Sequence, residues 1–192
     1  MSGLRVIAGK ARGRRLRSVP GDTTRPIADR IKEAVFNIIG PDIKETAFLD
    51  LFAGTGSVGI EALSRGAAYT LFIDKNHLPV EIIRKNLATT GFEAQAQVLR
   101  LDAFAFLERP AQRAFEYIYI APPQYQGLWK KALLCVDQHP DWLADDGWVI
   151  VQMHPVEEDP LVGPDTLNTL EQIDRRDYGS TLLLFFARKL GK

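Results

Sequence analysis

Short apolar runs punctuate this chain at regular intervals, at residues 47–52, 69–73, 95–99, 115–120, 148–153 and 181–187. Runs of that length bounded by glycine, proline and polar residues predict strands. Between them the apolar positions fall at helical spacing. Ile27, Ile31, Val35 and Ile38 lie at offsets of four, eight and eleven, which predicts a helix from Ile27 that Gly40-Pro41 ends. Further helices are predicted over 57–65, about 79–88 and about 129–136, with a short helical piece between the third and fourth strands. Residues 4–8 and 16–19 read as two short strands around Gly9-Lys10-Ala11-Arg12-Gly13, before Pro20-Gly21-Asp22 breaks the pattern. From His154 to the last strand the chain reads as a looser, acidic region. Strands alternating with helices imply a parallel sheet covered by helices.

The 192 residues fit one domain, 1–192, with 1–40 as a basic hairpin-and-helix extension and 41–192 as the sheet. A composition of 46% hydrophobic and 25% charged residues is that of an ordinary soluble globule. No apolar run approaches the roughly 18 residues of a membrane span, and no signal-peptide pattern opens the chain. A cytoplasmic monomer is expected. The single cysteine, Cys135, stands in an apolar run and reads as a structural thiol, which excludes an internal disulfide and a cysteine-cluster metal site. His77, His139 and His154 have no metal-ligand spacing, so no metal is expected. Tyr117, Tyr119, Trp129, Trp142 and Trp148 are expected to pack, and Asp145-Asp146 and Glu157-Glu158-Asp159 to be solvated loop acids that repel RNA.

Charge changes the picture. The chain carries no formal net charge, yet Arg5, Lys10, Arg12, Arg14, Arg15 and Arg17 stand in the first twenty residues without an acid. Residues 137–177 hold eleven acids against Arg175 and Arg176. An arginine-rich arm on a neutral-to-acidic body suits nucleic-acid phosphates; the alternative is a solvated hairpin whose charges protect an exposed edge.

Gly54, Gly56 and Gly59 form Gly-x-Gly-x-x-Gly between a predicted strand and a predicted helix. Such a turn brings backbone close to a ligand at the carboxyl end of a sheet. The acids around it discriminate between ligands. Asp50, before the turn, would oppose a pyrophosphate and favour a cation. Asp74 ends the second strand, where a carboxylate can hold ribose hydroxyls, and Asp102 follows the third, within reach of an adenine amine. The trio suits S-adenosylmethionine better than NAD; the alternative is that each acid caps a helix or turn.

The stretch Leu49-Asp50-Leu51-Phe52-Ala53-Gly54-Thr55-Gly56-Ser57-Val58-Gly59-Ile60-Glu61-Ala62 resembles the first motif of Rossmann-like methyltransferases. Arg5-Val6-Ile7-Ala8-Gly9-Lys10 with Gly13-Arg14, and Arg25-Pro26-Ile27-Ala28-Asp29-Arg30-Ile31-Lys32-Glu33-Ala34-Val35-Phe36-Asn37, are similar to two segments of the RsmD-type family, bacterial guanine-N2 methyltransferases of small-subunit ribosomal RNA. The resemblance implies a Rossmann-like α/β fold, a seven-stranded mostly parallel sheet with helices on both faces and the last strand antiparallel. It implies S-adenosylmethionine as cofactor, with Asp50, Gly54 and Gly56 at its methionine end, Asp74 on the ribose, Asp102 and Ala103 at the adenine, Phe52 also among the cofactor-binding residues, and the Arg25 segment closing over it. It implies small-subunit ribosomal RNA or its assembling particle as partner, held by Arg5, Lys10, Arg12, Arg14, Arg15, Arg17 and Arg30. Ile27 replaces the family's usual Thr, removing a hydroxyl contact worth about 1 kcal/mol.

The family's fourth strand normally ends in Asp or Asn, then Pro-Pro, then Phe or Tyr. There a side-chain and a backbone carbonyl aim an amine at the methyl carbon while the aromatic ring stacks on a flipped base. This chain has Ala121, Pro122, Pro123, Gln124 and Tyr125. Three readings are open: activity with Gln124 and Tyr125 in exchanged duties, a cofactor-binding but non-catalytic RNA-assembly factor, or another nucleic-acid amine that needs only a backbone acceptor.

Overall fold

The computed structural model describes residues 4–19, 29–159, 162 and 166–189. It divides into two compact units, Met1–Asp102 and Ala103–Lys192. In the first, β1 (Ala47–Asp50), β2 (Tyr69–Asp74) and β3 (Ala96–Arg100) run parallel in the order β3-β2-β1. Asp50 lies opposite Phe72, so Asp74 ends β2 two residues beyond the tip of β1. Phe48, Leu49, Phe72 and Ile73 are fully buried, as strands covered on both faces require.

Three helices accompany these strands: α1 (Asp29–Ile39), α2 (Ser57–Arg65) and α3 (His77–Thr90). The α2 boundaries are those expected from the sequence, because Gly56 and Gly66 supply left-handed residues at its two ends. α3 starts two residues before Pro79. The ring lies in the first turn, where a missing N–H costs nothing. Gly40-Pro41 ends α1 as expected, although the chain continues through a 3-10 turn over Gly40–Ile43.

The second unit holds α4 (Ala103–Leu107), β4 (Phe115–Ile120), α5 (Leu128–Gln138), β5 (Leu143–Met153), β6 (Leu170–Asp177) and β7 (Leu182–Arg188). Its strands take the order β4-β5-β7-β6. β4 and β5 are parallel, and β7 is antiparallel to both β5 and β6. Within the second unit β7 alone is reversed, and the seven strands agree with the expected fold class.

Three sequence expectations need correction. The region read as loose contains β6, whose sequence Leu-Glu-Gln-Ile-Asp-Arg-Arg-Asp lacks an apolar alternation because it is an edge strand exposed over most of its length. The buried carboxylate of Asp137 leads the chain into it, accepting the N–H groups of Asn168, Thr169 and Leu170 at 2.8, 2.8 and 2.9 Å. Burial pushes the Asp137 carboxyl up, but those N–H groups and the Thr169 hydroxyl outweigh it and hold the pKa below the ordinary carboxylate value.

Asp145-Asp146 lie inside β5, where the register with β4 shifts between Phe115 and Tyr117. Asp145 pairs with Arg188 at 3.0 Å. Two of the three acids after β5 are paired as well: Glu158 takes both arms of Arg175 at 2.8 Å, and Asp159 meets Lys130 at 2.6 Å. The residues expected to form two hairpin strands make a single antiparallel bridge, Arg5 with Arg15. The aromatic expectations hold. Trp129 and Trp142 are buried, with indole N–H groups donating to the Glu157 and Leu107 carbonyls at 3.2 and 2.9 Å. Tyr117 and Tyr119 are buried, and the Tyr119 hydroxyl bonds Gln152. Cys135 is half-buried, with its thiol pushed up by burial, as suits a packing rather than a nucleophilic role.

Candidate functional site

The glycine turn is built from the strand ends inward. Ala53 N–H donates to the Ile73 carbonyl at 3.0 Å, and Gly54 N–H donates to the Asp74 carboxylate at 3.0 Å. The other Asp74 oxygen accepts Asn76 N–H at 2.9 Å. Gly54 and Gly56 have φ of +53° and +75°, conformations that side chains avoid. A Cβ on Gly54 would meet no protein atom within 4 Å, so the turn faces open space there. Gly59 serves packing instead, since a Cβ on it would lie 2.3 Å from the Phe72 ring.

Asp50 sits beneath this turn, 2% exposed, accepting Gly59 N–H at 3.2 Å. Burial pushes its pKa up to about 7, the Gly59 N–H pulls it down, and the Asp74 charge adds to the rise. A poorly solvated carboxylate of this kind gains most from a cationic ligand. The structure thus brings Asp50, Gly54, Gly56 and Asp74 together, and gives both acids a turn-holding role besides. Phe52 is half-buried, Asp102 exposed, and Ala103 buried as the first residue of α4. Arg25 and Ile27 lie outside the described residues.

The basic hairpin is docked rather than loose. Val6, Ala11 and Leu16 enter a core with Ile60, Leu63, Phe72, Ile83 and Leu87. Glu61 of α2 accepts the N–H groups of Ile7 and Ala8 at 2.8 and 2.9 Å, and pairs with Arg65 at 2.9 Å and Lys32 at 3.6 Å. Both Lys32 and Glu61 side chains are 0% exposed. Burial pushes the Lys32 pKa down and the Glu61 charge pulls it back up. Ser64 Oγ accepts Ala11 N–H at 2.9 Å and donates to the Ala8 carbonyl at 2.5 Å. Asn86 of α3 accepts Arg17 N–H at 2.7 Å and donates to the carbonyls of Arg17 at 3.1 Å and Thr55 at 2.9 Å.

This docking leaves Arg5, Lys10, Arg12, Arg14, Arg15 and Arg17 exposed. Arg5 pairs with Asp29 at 2.9 Å; among the described residues the other five have no acidic partner. Arg30 is exposed on α1. Sequence reasoning passed over Glu61, Ser64 and Asn86. Glu61 and Arg65 look like an ordinary solvated pair one helical turn apart, and nothing local marks a hairpin more than fifty residues upstream as their partner.

In the second unit, β4 runs out at Ile120 into the rim. Ala121 and Pro122 are half-buried, and Pro123, Gln124 and Tyr125 exposed. Neither proline carries an N–H, so this stretch offers carbonyl acceptors with few competing donors. Tyr125 has φ +63° and its ring centroid lies 5.6 Å from that of His154. Among the described residues no cluster of three or more His, Cys, Asp or Glu can hold a metal, and no helix is long and apolar enough to cross a membrane.

Strand order, the single reversed strand and the carboxylate–glycine turn define the Rossmann-like methyltransferase fold. A provisionally named methyltransferase of Escherichia coli, yhhF, superposes with a TM-score of 0.84 at 29% identity, covering 98% of this chain and 99% of that one. The profile of the family described as conserved hypothetical protein 95 matches residues 4–187, and the chain belongs to that family, the RsmD family. A provisionally named rRNA methyltransferase of Bacillus subtilis, YlbH, is 36% identical over 188 residues, which is 97% of this chain and 100% of that protein. The ribosomal RNA small subunit methyltransferase D of Haemophilus influenzae is 34% identical over 173 residues, 88% of this chain and 87% of that one.

Proposed function

We propose that this chain transfers the methyl group of S-adenosylmethionine to the exocyclic N2 amine of a guanine in small-subunit ribosomal RNA. The observation that carries the reading is the buried Asp50 carboxylate under a glycine turn, in a chain whose relatives are named for methylation of ribosomal RNA. When bound, S-adenosylmethionine supplies an electrophilic methyl carbon on a sulfonium. Asp50 favours the cationic methionine end, Gly54 allows close approach there while Gly56 shapes the cofactor turn through its left-handed backbone, Asp74 holds the ribose, and Asp102 and Ala103 contact the adenine. Phe52 and the Arg25 segment complete this cofactor-binding set. Lys10, Arg12, Arg14, Arg15 and Arg17, with Arg5 and Arg30, bind RNA phosphates.

A guanine amine is a poor nucleophile because its lone pair is shared with the ring. Two acceptors that take its protons localise that pair and disperse the charge developing on nitrogen. Ala121 has no side-chain acceptor, so the main-chain carbonyl of Ala121 or Pro122 and the Gln124 amide oxygen supply the two, and Tyr125 stacks on the base. No side-chain base is required before transfer, since the neutral amine attacks and sheds its proton afterwards.

The primary test is transfer of labelled methyl to small ribosomal subunits lacking their guanine-N2 methyl groups, with the product nucleoside identified. N2-methylguanosine is expected. Removing the proposed side-chain acceptor by Gln124→Ala lowers kcat by about a hundredfold, while Ala121→Asp gives no gain. A strong gain from Ala121→Asp would instead show a degenerate site and favour the non-catalytic RNA-binding reading, which the alanine at this position motivates.

Asp50 also sets a pH dependence. Its free-state pKa is raised to about 7, and a bound cation favours the ionised form, so binding expels the proton. Affinity for S-adenosylmethionine therefore falls by up to about tenfold per pH unit below 7 and levels off above it. Asp50→Asn flattens that profile in calorimetric titrations across the same range.

A further inference from the structure

Tyr125 is 66% exposed, yet its backbone has φ +63°, a left-handed conformation that residues with side chains normally avoid. A large exposed ring held this way is not explained by core packing, and backbone outliers of this kind concentrate at binding sites. The ring has one described aromatic neighbour, His154, at a centroid separation of 5.6 Å and a tilt of 46°, within the range of favourable aromatic pairs. His154 follows β5, which lies in parallel register with β4 through Ile120 and Val151, so both rings belong to the same end of adjacent strands. Val156, 80% exposed, lies two residues beyond His154.

The imidazole is oriented as well as placed. Its Nδ1 accepts Val156 N–H at 3.3 Å. In the neutral ring the proton therefore resides on Nε2, and the group's remaining polar function is a donor. An exposed aromatic face accompanied by one fixed N–H donor matches an unpaired purine that stacks and carries an acceptor on its edge. Guanine offers O6 and N7 as acceptors there, whereas adenine replaces O6 with an amine donor.

We propose that His154 is a specificity-determining residue of the reaction proposed above. It props the Tyr125 ring against a stacked, unpaired guanine and donates Nε2–H to that base's O6. The inference rests on that reaction, and it reaches beyond the Ala121–Tyr125 rim to a residue on the following strand.

Three His154 variants separate the two roles. His154→Phe keeps the prop and loses the donor, His154→Gln keeps a donor and loses the ring, and His154→Ala loses both. With small ribosomal subunits as substrate, His154→Phe lowers kcat/KM by about tenfold, one hydrogen bond's worth. His154→Ala lowers it by about a hundredfold, because base stacking weakens too. Affinity for S-adenosylhomocysteine stays at the wild-type value in all three. In a second measurement, small-subunit RNA carrying 6-thioguanosine is irradiated with long-wave ultraviolet light and the cross-linked peptides are mapped. Cross-links at Tyr125 or His154 are expected. Should they form while no N2-methylguanosine is produced, the methylation reading falls and the base clamp stands. Methylation with wild-type kinetics in His154→Phe and His154→Ala, and cross-links only elsewhere, overturns the clamp and leaves the reaction intact.

Discussion

Glu61→Ala lowers the free energy of unfolding by about 3–5 kcal/mol, the cost of removing one partner from a buried ion pair. Lys32 and Glu61 are both withdrawn from water, so Lys32 would be left with the Arg5 carbonyl at 2.6 Å and no opposing charge beyond the surface Asp29. The N–H groups of Ile7 and Ala8 lose their acceptor at the same time. Glu61→Gln retains one carbonyl oxygen and should cost less. Urea unfolding of the three proteins measures the difference, and a loss below about 1 kcal/mol for the alanine variant would contradict the hub role, since that is the scale of an exposed pair.

Gly9→Ala acts on the same docking without touching a charge. A Cβ on Gly9 would stand 1.8 Å from the Ser64 carbonyl oxygen and 2.8 Å from the Arg65 nitrogen, both main-chain atoms of α2 that cannot swing aside. Its φ of +81° adds a further penalty of about 1–2 kcal/mol for any side chain. The hairpin has to lift from the helix. Trypsin cleavage after Arg12 and Arg14 should accelerate by about a hundredfold or more, the equivalent of roughly 3 kcal/mol of lost protection. Affinity for S-adenosylhomocysteine stays within about twofold, because the hydrogen bonds of Asp50 to Gly59, Asp74 to Gly54 and Ala53 to Ile73 that shape the turn involve no hairpin residue. Binding to small subunits weakens and its salt dependence flattens. Five phosphate contacts from a rigid array give a slope of about −3.5 to −4.5 in log K against log salt, and an arm no longer held in register makes fewer. Unchanged proteolysis would show that the clash is absorbed elsewhere.

Much of this was legible because local chemistry and fold agree. Gly56 and Gly66 bracket α2 closely enough that its limits could be read from sequence, and the apolar run before Pro122-Pro123 marks β4. The acids of the glycine turn were legible because each closes or follows a strand. The illegible parts owe their form to distant partners. β6 is charged along most of its length and becomes a strand through pairing with β7 and the hold of Asp137 on its entry. Asp145 and Asp146 look like a turn, and the register shift in β5 absorbs them. The left-handed Tyr125 could not be anticipated, since glycine or asparagine is the residue that announces such a conformation.

The clamp on Arg17 has a consequence in time. Asn86 lies 69 residues further along the chain than the backbone it holds. At the usual pace of synthesis those residues take about 3–14 s to add. Throughout that interval Arg17 already exists and the clamp that seats it does not. A nascent chain is thus born with its cations unanchored beside a machine made largely of RNA; the folding of α2 seats the tip of the arm and that of α3 its far end, turning a sticky tail into an oriented surface.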